Sequence, residues 1–484
     1  MDRRKFLVRS LAAGVGTLGM SKLAGDSHQK NLSGQICGIP ADPNASQQMS
    51  MQSRQSGEME TYKNGLFRLR IAPVVVQLTP KFAISTIGYN GTSPGPLLRM
   101  REGVPVIVDV SNDTDVPELV HWHGLIVPPE VDGAEDERTP FIAPHSTRRY
   151  QFVPGPAGTR WYHTQVSAGI DLYRGLYTGQ FGFVYVEPKN EPGRYDQEYF
   201  LALRDWEPFY IPQKRNGPHT QNGLKVAYRM FSINDKALGS GEPIRVKQGH
   251  RVLFHVLNAS ATEHRRMALP GHRFLVVGLD GNAVPRPRMV DVLQLGPGER
   301  VDAVVEMNHP GVWIFGCTSD DDRNNGLGIV VEYSGKTGFP QWVAPPDLRW
   351  DYTKFGRSRP HPVADETIKL VFQAIPGGPG GFDSWRVNGK QYLQEIALRE
   401  GGRYRLILHN RSDSAQPIHL HRHLFEIVDV NGRPTSGVRK DTVVVTPHGQ
   451  VSVDVAADQP GLSLLHCNIQ QQMDNGFKAL FRCV

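Results

Sequence analysis

From Tyr62 onward the chain repeats one phrase: a glycine, a run of alternating or continuous β-branched and aliphatic residues, then an asparagine. The runs are Val104-Pro105-Val106-Ile107-Val108-Asp109-Val110, Arg251-Val252-Leu253-Phe254-His255-Val256 and Tyr404-Arg405-Leu406-Ile407-Leu408-His409. Successive side chains on a strand point to opposite faces, so each run specifies a strand with at least one buried face. The glycines in Glu102-Gly103, Lys247-Gln248-Gly249 and Glu400-Gly401-Gly402 close turns ahead of those strands. The three copies begin about 150 residues apart, the spacing of repeated domains. Helical periodicity is confined to short stretches outside the N-terminus. The pattern predicts an all-β chain of three β-sandwiches in series, at 61–190, 191–340 and 341–484. Its boundaries fall near Glu187-Pro188 and in the Pro-rich stretch from Pro340 to Pro362.

Composition agrees: 50 Gly and 36 Pro in 484 residues suit many short strands with tight connections. With 39% hydrophobic and 21% charged residues, the chain has ample material for packed cores, which excludes disorder and fibre. The formal charge of +6 comes from 54 basic and 48 acidic side chains dispersed along the chain, so nucleic acid is not an expected partner. The opening MDRRKFLVRSLAAGVGTLGM sets Arg3 and Arg4 before Phe6, Leu7 and an apolar run, the pattern of a twin-arginine export signal. Residues 1–25 are read as that signal and 26–60 as a flexible leader. No other segment reaches the roughly 18 apolar residues needed to span a bilayer, so no transmembrane segment is expected in the mature protein. The expected location is periplasmic or extracytoplasmic, reached through the twin-arginine export machinery. Only Cys37, Cys317, Cys467 and Cys483 occur, too few for a disulfide scaffold, although a Cys37–Cys483 bridge would pin the leader to the C-terminus.

Four segments concentrate the chemistry: His121-Trp122-His123-Gly124, Trp161-Tyr162-His163-Thr164-Gln165, Gln416-Pro417-Ile418-His419-Leu420-His421-Arg422-His423, and His466-Cys467-Asn468-Ile469 running on to Gln472. Residues i and i+2 of a strand share a face roughly 6.6 Å apart, so a His-x-His pair can serve two adjacent metals. Several imidazole pairs with a cysteine beside them favour copper over calcium, magnesium or manganese, and leave zinc open.

These segments, in this order, resemble the four copper motifs of the three-domain multicopper oxidases, the family of laccases and bacterial copper-resistance oxidases. The stretch from Ser232-Ile233-Asn234 through Leu257-Asn258 to Val301-Asp302 is similar to that family's second domain. The resemblance implies three consecutive cupredoxin-like Greek-key sandwiches. It also implies a type 1 copper that takes electrons from a reductant and a trinuclear cluster that reduces dioxygen to water. Carried over by position, the type 2 copper takes His121 and His419. One type 3 copper takes His123, His163 and the position of Asn468; the other takes His421, His466 and the position of Gln165. The type 1 site departs most: Gln416 and Gln472 stand at its histidine positions, Phe477 at its axial position, and only Cys467 remains. An empty type 1 site and one to three copper ions are therefore expected, with no other cofactor. Asp132, in Glu130-Val131-Asp132-Gly133, matches the carboxylate implied as a proton relay, whereas Met473 stands where some members have a glutamate.

Two function classes follow. In one, the chain is a copper-dependent oxidoreductase of altered type, not a conventional laccase. A small-molecule reductant and dioxygen then meet at a remnant type 2/type 3 cluster. In the other it is a non-catalytic copper-binding or scaffold protein. Six retained histidines weigh against a metal-free scaffold, and the missing type 1 imidazoles weigh against a laccase.

Overall fold

The computed structural model describes residues 62–63, 65–189, 195–213, 223–347, 349–391 and 395–484. The export signal, the whole of the leader and Cys37 lie outside them. Among the described residues the α-helices are single turns at Pro129–Asp132, Asp320–Asn324 and Gln470–Asp474, and no helix is long and apolar enough to cross a membrane.

The three phrases become the central strands Val106–Asn112, Arg251–Asn258 and Arg403–Asn410. The first starts two residues inside its run, because Pro105 has no N–H to offer a ladder. The turn glycines Gly103, Gly249 and Gly401 take φ values of 77°, 86° and 79°, open to glycine at little cost. Each phrase ends on a fully buried asparagine that ties down the next loop. Asn112, Asn258 and Asn410 donate through Nδ2 to the carbonyls of Val116, Glu263 and Ser414 at 2.8, 2.8 and 2.7 Å. They also accept from the backbone N–H groups of Thr114, Ser260 and Ser412.

The second and third sandwiches share one topology, a six-stranded sheet facing a five-stranded one with the strands in the same order; the first has five and four strands. In all three, the central strand runs parallel to one neighbour and antiparallel to the other. The same mixed pairing in all three sandwiches is what one architecture used three times requires. The cores are aliphatic and aromatic, with Val108, Phe254, Leu408 and their neighbours buried between sheets. Each such side chain contributes about 1.5–3 kcal/mol relative to exposure.

Candidate metal centre

The strand Val120–His123 pairs antiparallel with Gly158–Thr164, setting His121 opposite His163. In the third sandwich Gln416–Leu420 pairs with Gly461–Cys467, setting His419 opposite His466, and His421 follows directly on the same face. The two strand pairs meet, and all six imidazoles are buried. They approach one another in three pairs. His121 Nε2 lies 3.3 Å from His419 Nε2, His123 Nδ1 lies 3.3 Å from His163 Nε2, and His421 Nε2 lies 3.0 Å from His466 Nε2. These are the pairs that the motif positions assign to the three metal positions.

The partner of each ring's other nitrogen fixes its tautomer, because a carbonyl or ionised carboxylate can only accept. The Nδ1–H groups of His121, His163, His419 and His466 donate to the backbone carbonyls of Asp132, Thr164, Asp441 and Cys467 at 2.8, 2.8, 2.8 and 2.9 Å. His421 Nδ1–H donates to Asp132 Oδ2 at 2.6 Å. His123 is reversed: its Nε2–H donates to Asp441 Oδ1 at 3.1 Å, which leaves Nδ1 bare. All three close contacts are therefore lone pair against lone pair. Burial, reinforced by neighbouring charges, holds His123, His163, His419 and His466 well below the ordinary imidazole range, and brings His421 down to about 4. Near neutral pH, protonation therefore relieves neither the His123–His163 nor the His421–His466 contact. Six bare nitrogens aimed inward in a buried cage suit a soft or borderline cation, and copper fits this donor set.

The altered positions behave differently from one another. Gln165 stays at the cage, its Nε2 3.3 Å from His466 Nε2 and 3.4 Å from the Met473 sulfur. The Asn468 amide instead donates to Pro297 O at 3.1 Å and Thr442 Oγ1 at 3.4 Å. At the type 1 position Cys467, Gln416 and Gln472 do converge. The buried Cys467 thiol faces Gln416 Oε1 at 3.3 Å and Gln472 Oε1 at 3.4 Å, and desolvation pushes its pKa far up, keeping it neutral. The Gln416 amide is spent on Ser412 Oγ and Ser414 Oγ, at 3.0 and 2.8 Å. Phe477, expected at the axial position, stacks on Trp385 with centroids 4.6 Å apart. The result is a closed, neutral hydrogen-bonded corner without imidazole nitrogen. His423 is buried, its Nδ1 on the His421 carbonyl at 3.0 Å.

Three segments of the chain match the multicopper oxidase family, residues 72–191, 197–335 and 372–483. Multicopper oxidase MmcO of Mycobacterium tuberculosis is 31% identical over 442 residues, which cover 82% of this chain and 84% of that protein. The chain belongs to the multicopper oxidase family. Copper resistance protein A of Pseudomonas syringae pv. tomato is 27% identical over 298 residues, 52% of this chain and 48% of that one. Two solved structures share the fold. The multi-copper oxidase from Pseudomonas thermotolerans has a TM-score of 0.68 and 24% identity, covering 87% of this chain and 99% of its own. The laccase from Botrytis aclada has a TM-score of 0.70 and 19% identity, covering 88% and 90%. Membership supports a copper-dependent oxidoreductase.

In this member of the family, carboxylates frame the cage. Asp132 lies under His121 and His421; burial opposes its ionisation, but the two imidazoles outweigh burial and hold its pKa well below the usual range. Glu137 lies 3.5 Å from His421 Nδ1 and accepts from the Leu464 N–H at 2.6 Å; burial and the neighbouring Asp132 charge push its pKa well up. Asp441 is anchored by Arg300, Nη1 to Oδ1 at 2.7 Å and Nη2 to Oδ2 at 2.5 Å, and in turn orients His123 and His419. Neither Glu137 nor Asp441 was singled out in the sequence. Glu137 is the last of three consecutive acids, Glu135-Asp136-Glu137, and Asp441 is a single acid between two strands; neither has a spacing that separates it from a surface charge.

Proposed function

We propose that this chain is a copper-dependent oxidoreductase that works at a cluster held by His121, His419, His123, His163, His421 and His466, without a type 1 copper. The three facing pairs of bare imidazole nitrogens carry this reading, because they repel one another unless a cation lies against both members. Each pair serves one position, which allows one to three ions. Copper bound there supplies one-electron redox chemistry toward dioxygen. The chain's residues do the rest. Asp132 locks the His421 tautomer and is placed to relay protons, while Asp441 locks His123. Cys467, neutral between two amide oxygens, offers no thiolate to an electron-carrying metal. A small-molecule reductant must then reach the cluster itself. The Arg3-Arg4 opening supports export by the twin-arginine machinery to the periplasm or beyond.

The test is oxygen consumption by copper-loaded protein with phenols, Cu(I) and small reductants, alongside absorption spectra. We expect no intense blue thiolate-to-copper band, activity retained in Cys467→Ser, and activity lost in His466→Ala. Loss in both variants would restore the long-range electron relay. His121→Ala with His419→Ala should lower copper content far more than His423→Ala. The second reading is copper binding without turnover, favoured by the neutral corner around Cys467; stoichiometric copper with no oxygen uptake on any reductant would establish it.

A further inference from the structure

Glu118 lies three residues before His121 and is almost fully buried, its backbone bridged to Ile142. One carboxyl oxygen, Oε2, accepts from Thr164 Oγ1 at 3.2 Å, while Oε1 has no hydrogen-bond partner. Thr164 stands between His163 and Gln165, and its carbonyl is the group that fixes the His163 tautomer. Burial, only partly offset by Thr164, Arg174 and Gln180, raises the Glu118 pKa to about 7. From the other elements, Tyr89 faces its charge.

The unpartnered oxygen has company. Gln180 Oε1, Tyr89 Oη and Ser93 Oγ are also buried without a partner. Gln180 is tied to Thr164, whose backbone N–H donates to the Gln180 carbonyl at 3.1 Å. Ser93 packs so close to Gly179 that a methyl group there would meet Ser93 Oγ at 2.7 Å. Ser93 also lines a cleft of about 610 Å³ walled by Arg99 and Phe183 of the first sandwich and by Glu198 and Phe200 of the second. Buried polar atoms left without protein partners are places where ordered water is bound. Ser93 thus joins the cleft to the Gly179–Gln180 segment, and Gln180 is bonded to Thr164, the residue that also holds Glu118 beside His163.

We propose that Glu118 is a proton-transfer group for the cluster, fed from this cleft through water held by Ser93, Tyr89 and Gln180. It rests on the reading of the cluster as a site of dioxygen reduction. Reducing one dioxygen to two waters takes four electrons from the reductant and four protons from solvent. Glu118 gives its carboxyl proton to water at Oε1, which passes it to the oxygen being reduced, and the carboxylate left behind regains a proton from the cleft. Asp132 does not fill this role alone, since its Oδ2 is held by two imidazoles and its pKa is held low, so that it carries no proton to give near neutral pH.

The experiment compares copper-loaded unmodified protein with Glu118→Gln and Glu118→Asp, reading copper content, the pH profile of oxygen consumption and its solvent deuterium isotope effect. Glu118→Gln should keep its copper, lose tenfold or more in kcat, lose the inflection near neutral pH and show a larger isotope effect, with Glu118→Asp recovering part of the rate. Infrared spectra should show a protonated carboxyl band in the unmodified protein that is absent from Glu118→Gln. An unchanged rate and profile in Glu118→Gln, or loss of its copper, would overturn the proposal while leaving the cluster reading intact. Absence of oxygen consumption by the unmodified protein would overturn both.

Discussion

Asp132 and His421 show how much of the site depends on single proton positions. The 2.6 Å bond from His421 Nδ1–H to Asp132 Oδ2 obliges His421 to present a bare Nε2. Asp132→Asn allows the opposite tautomer, and copper affinity should fall about 10–100-fold in competition titrations against a chelator. The depressed histidines also set a pH dependence for the copper-free protein. A folded-state pKa below the unfolded value of about 6.5 means that the unfolded chain takes up protons first as pH falls. Stability is then fully present above about 6.5 and is lost as pH falls toward the folded value, about 4 for His421. The midpoint in denaturant should drop steadily between pH 7 and pH 5 without copper, and much less with it. The histidines themselves were legible because the two-residue period of a strand is printed in the sequence. Glu137, Asp441 and Glu118 were not, since what makes them functional is burial and a partner remote in sequence. Asp441 and Arg300, for example, are 141 residues apart.

At the scale of elements, one corner recurs in each sandwich. In the first, Val120 is paired with Thr164; in the second, Met267 with Cys317; in the third, Ile418 with Cys467. Two residues before the first member stand Glu118, Arg265 and Gln416, and each reaches into the same corner. Glu118 accepts from Thr164, Arg265 donates to Asp322 at 2.7 Å while the Cys317 thiol faces that same carboxylate oxygen, and Gln416 faces Cys467. The strand runs and their asparagines made this threefold architecture readable from the sequence; the corner's contents differ too much between copies to align by eye. The turn before Arg300–Glu306 offers a direct test of how elements hold the cage. Gly298 has φ 83°, and a Cβ there would sit 2.1 Å from Asn468 Nδ2 and 3.3 Å from His123 Cε1. Gly298→Ala should cost about 1–3 kcal/mol and lower copper content, measured by denaturant unfolding and metal analysis.

Across the whole molecule, six buried charges tie the three sandwiches together. Arg160 comes from the first, Asp280, Glu299 and Arg300 from the second, Lys440 and Asp441 from the third. Arg300 holds Asp441, Lys440 bridges Asp280 and Glu299 at 2.9 Å each, and Arg160 lies 3.6 Å from Asp441. Removing one member strands an opposite charge in the interior. Arg300→Met should destabilise the copper-free protein by about 3–5 kcal/mol in denaturant unfolding, and weaken copper binding through the released Asp441.

The three imidazole pairs differ in how much chain they enclose. His123 with His163 and His421 with His466 lie 40 and 45 residues apart, each inside one sandwich, whereas His121 with His419 are 298 apart. An ion on that last pair is a reversible crosslink on a very long loop. Loop-closure entropy grows with the logarithm of loop length, so it restrains the unfolded chain by roughly 1.7 kcal/mol more than an ion on either short loop. The same ion is also the first to go when the first and third sandwiches part. In graded denaturant with a chelator present, one equivalent of copper should leave before the others, and the copper-to-protein ratio becomes a gauge of whether the two ends of the chain are still docked.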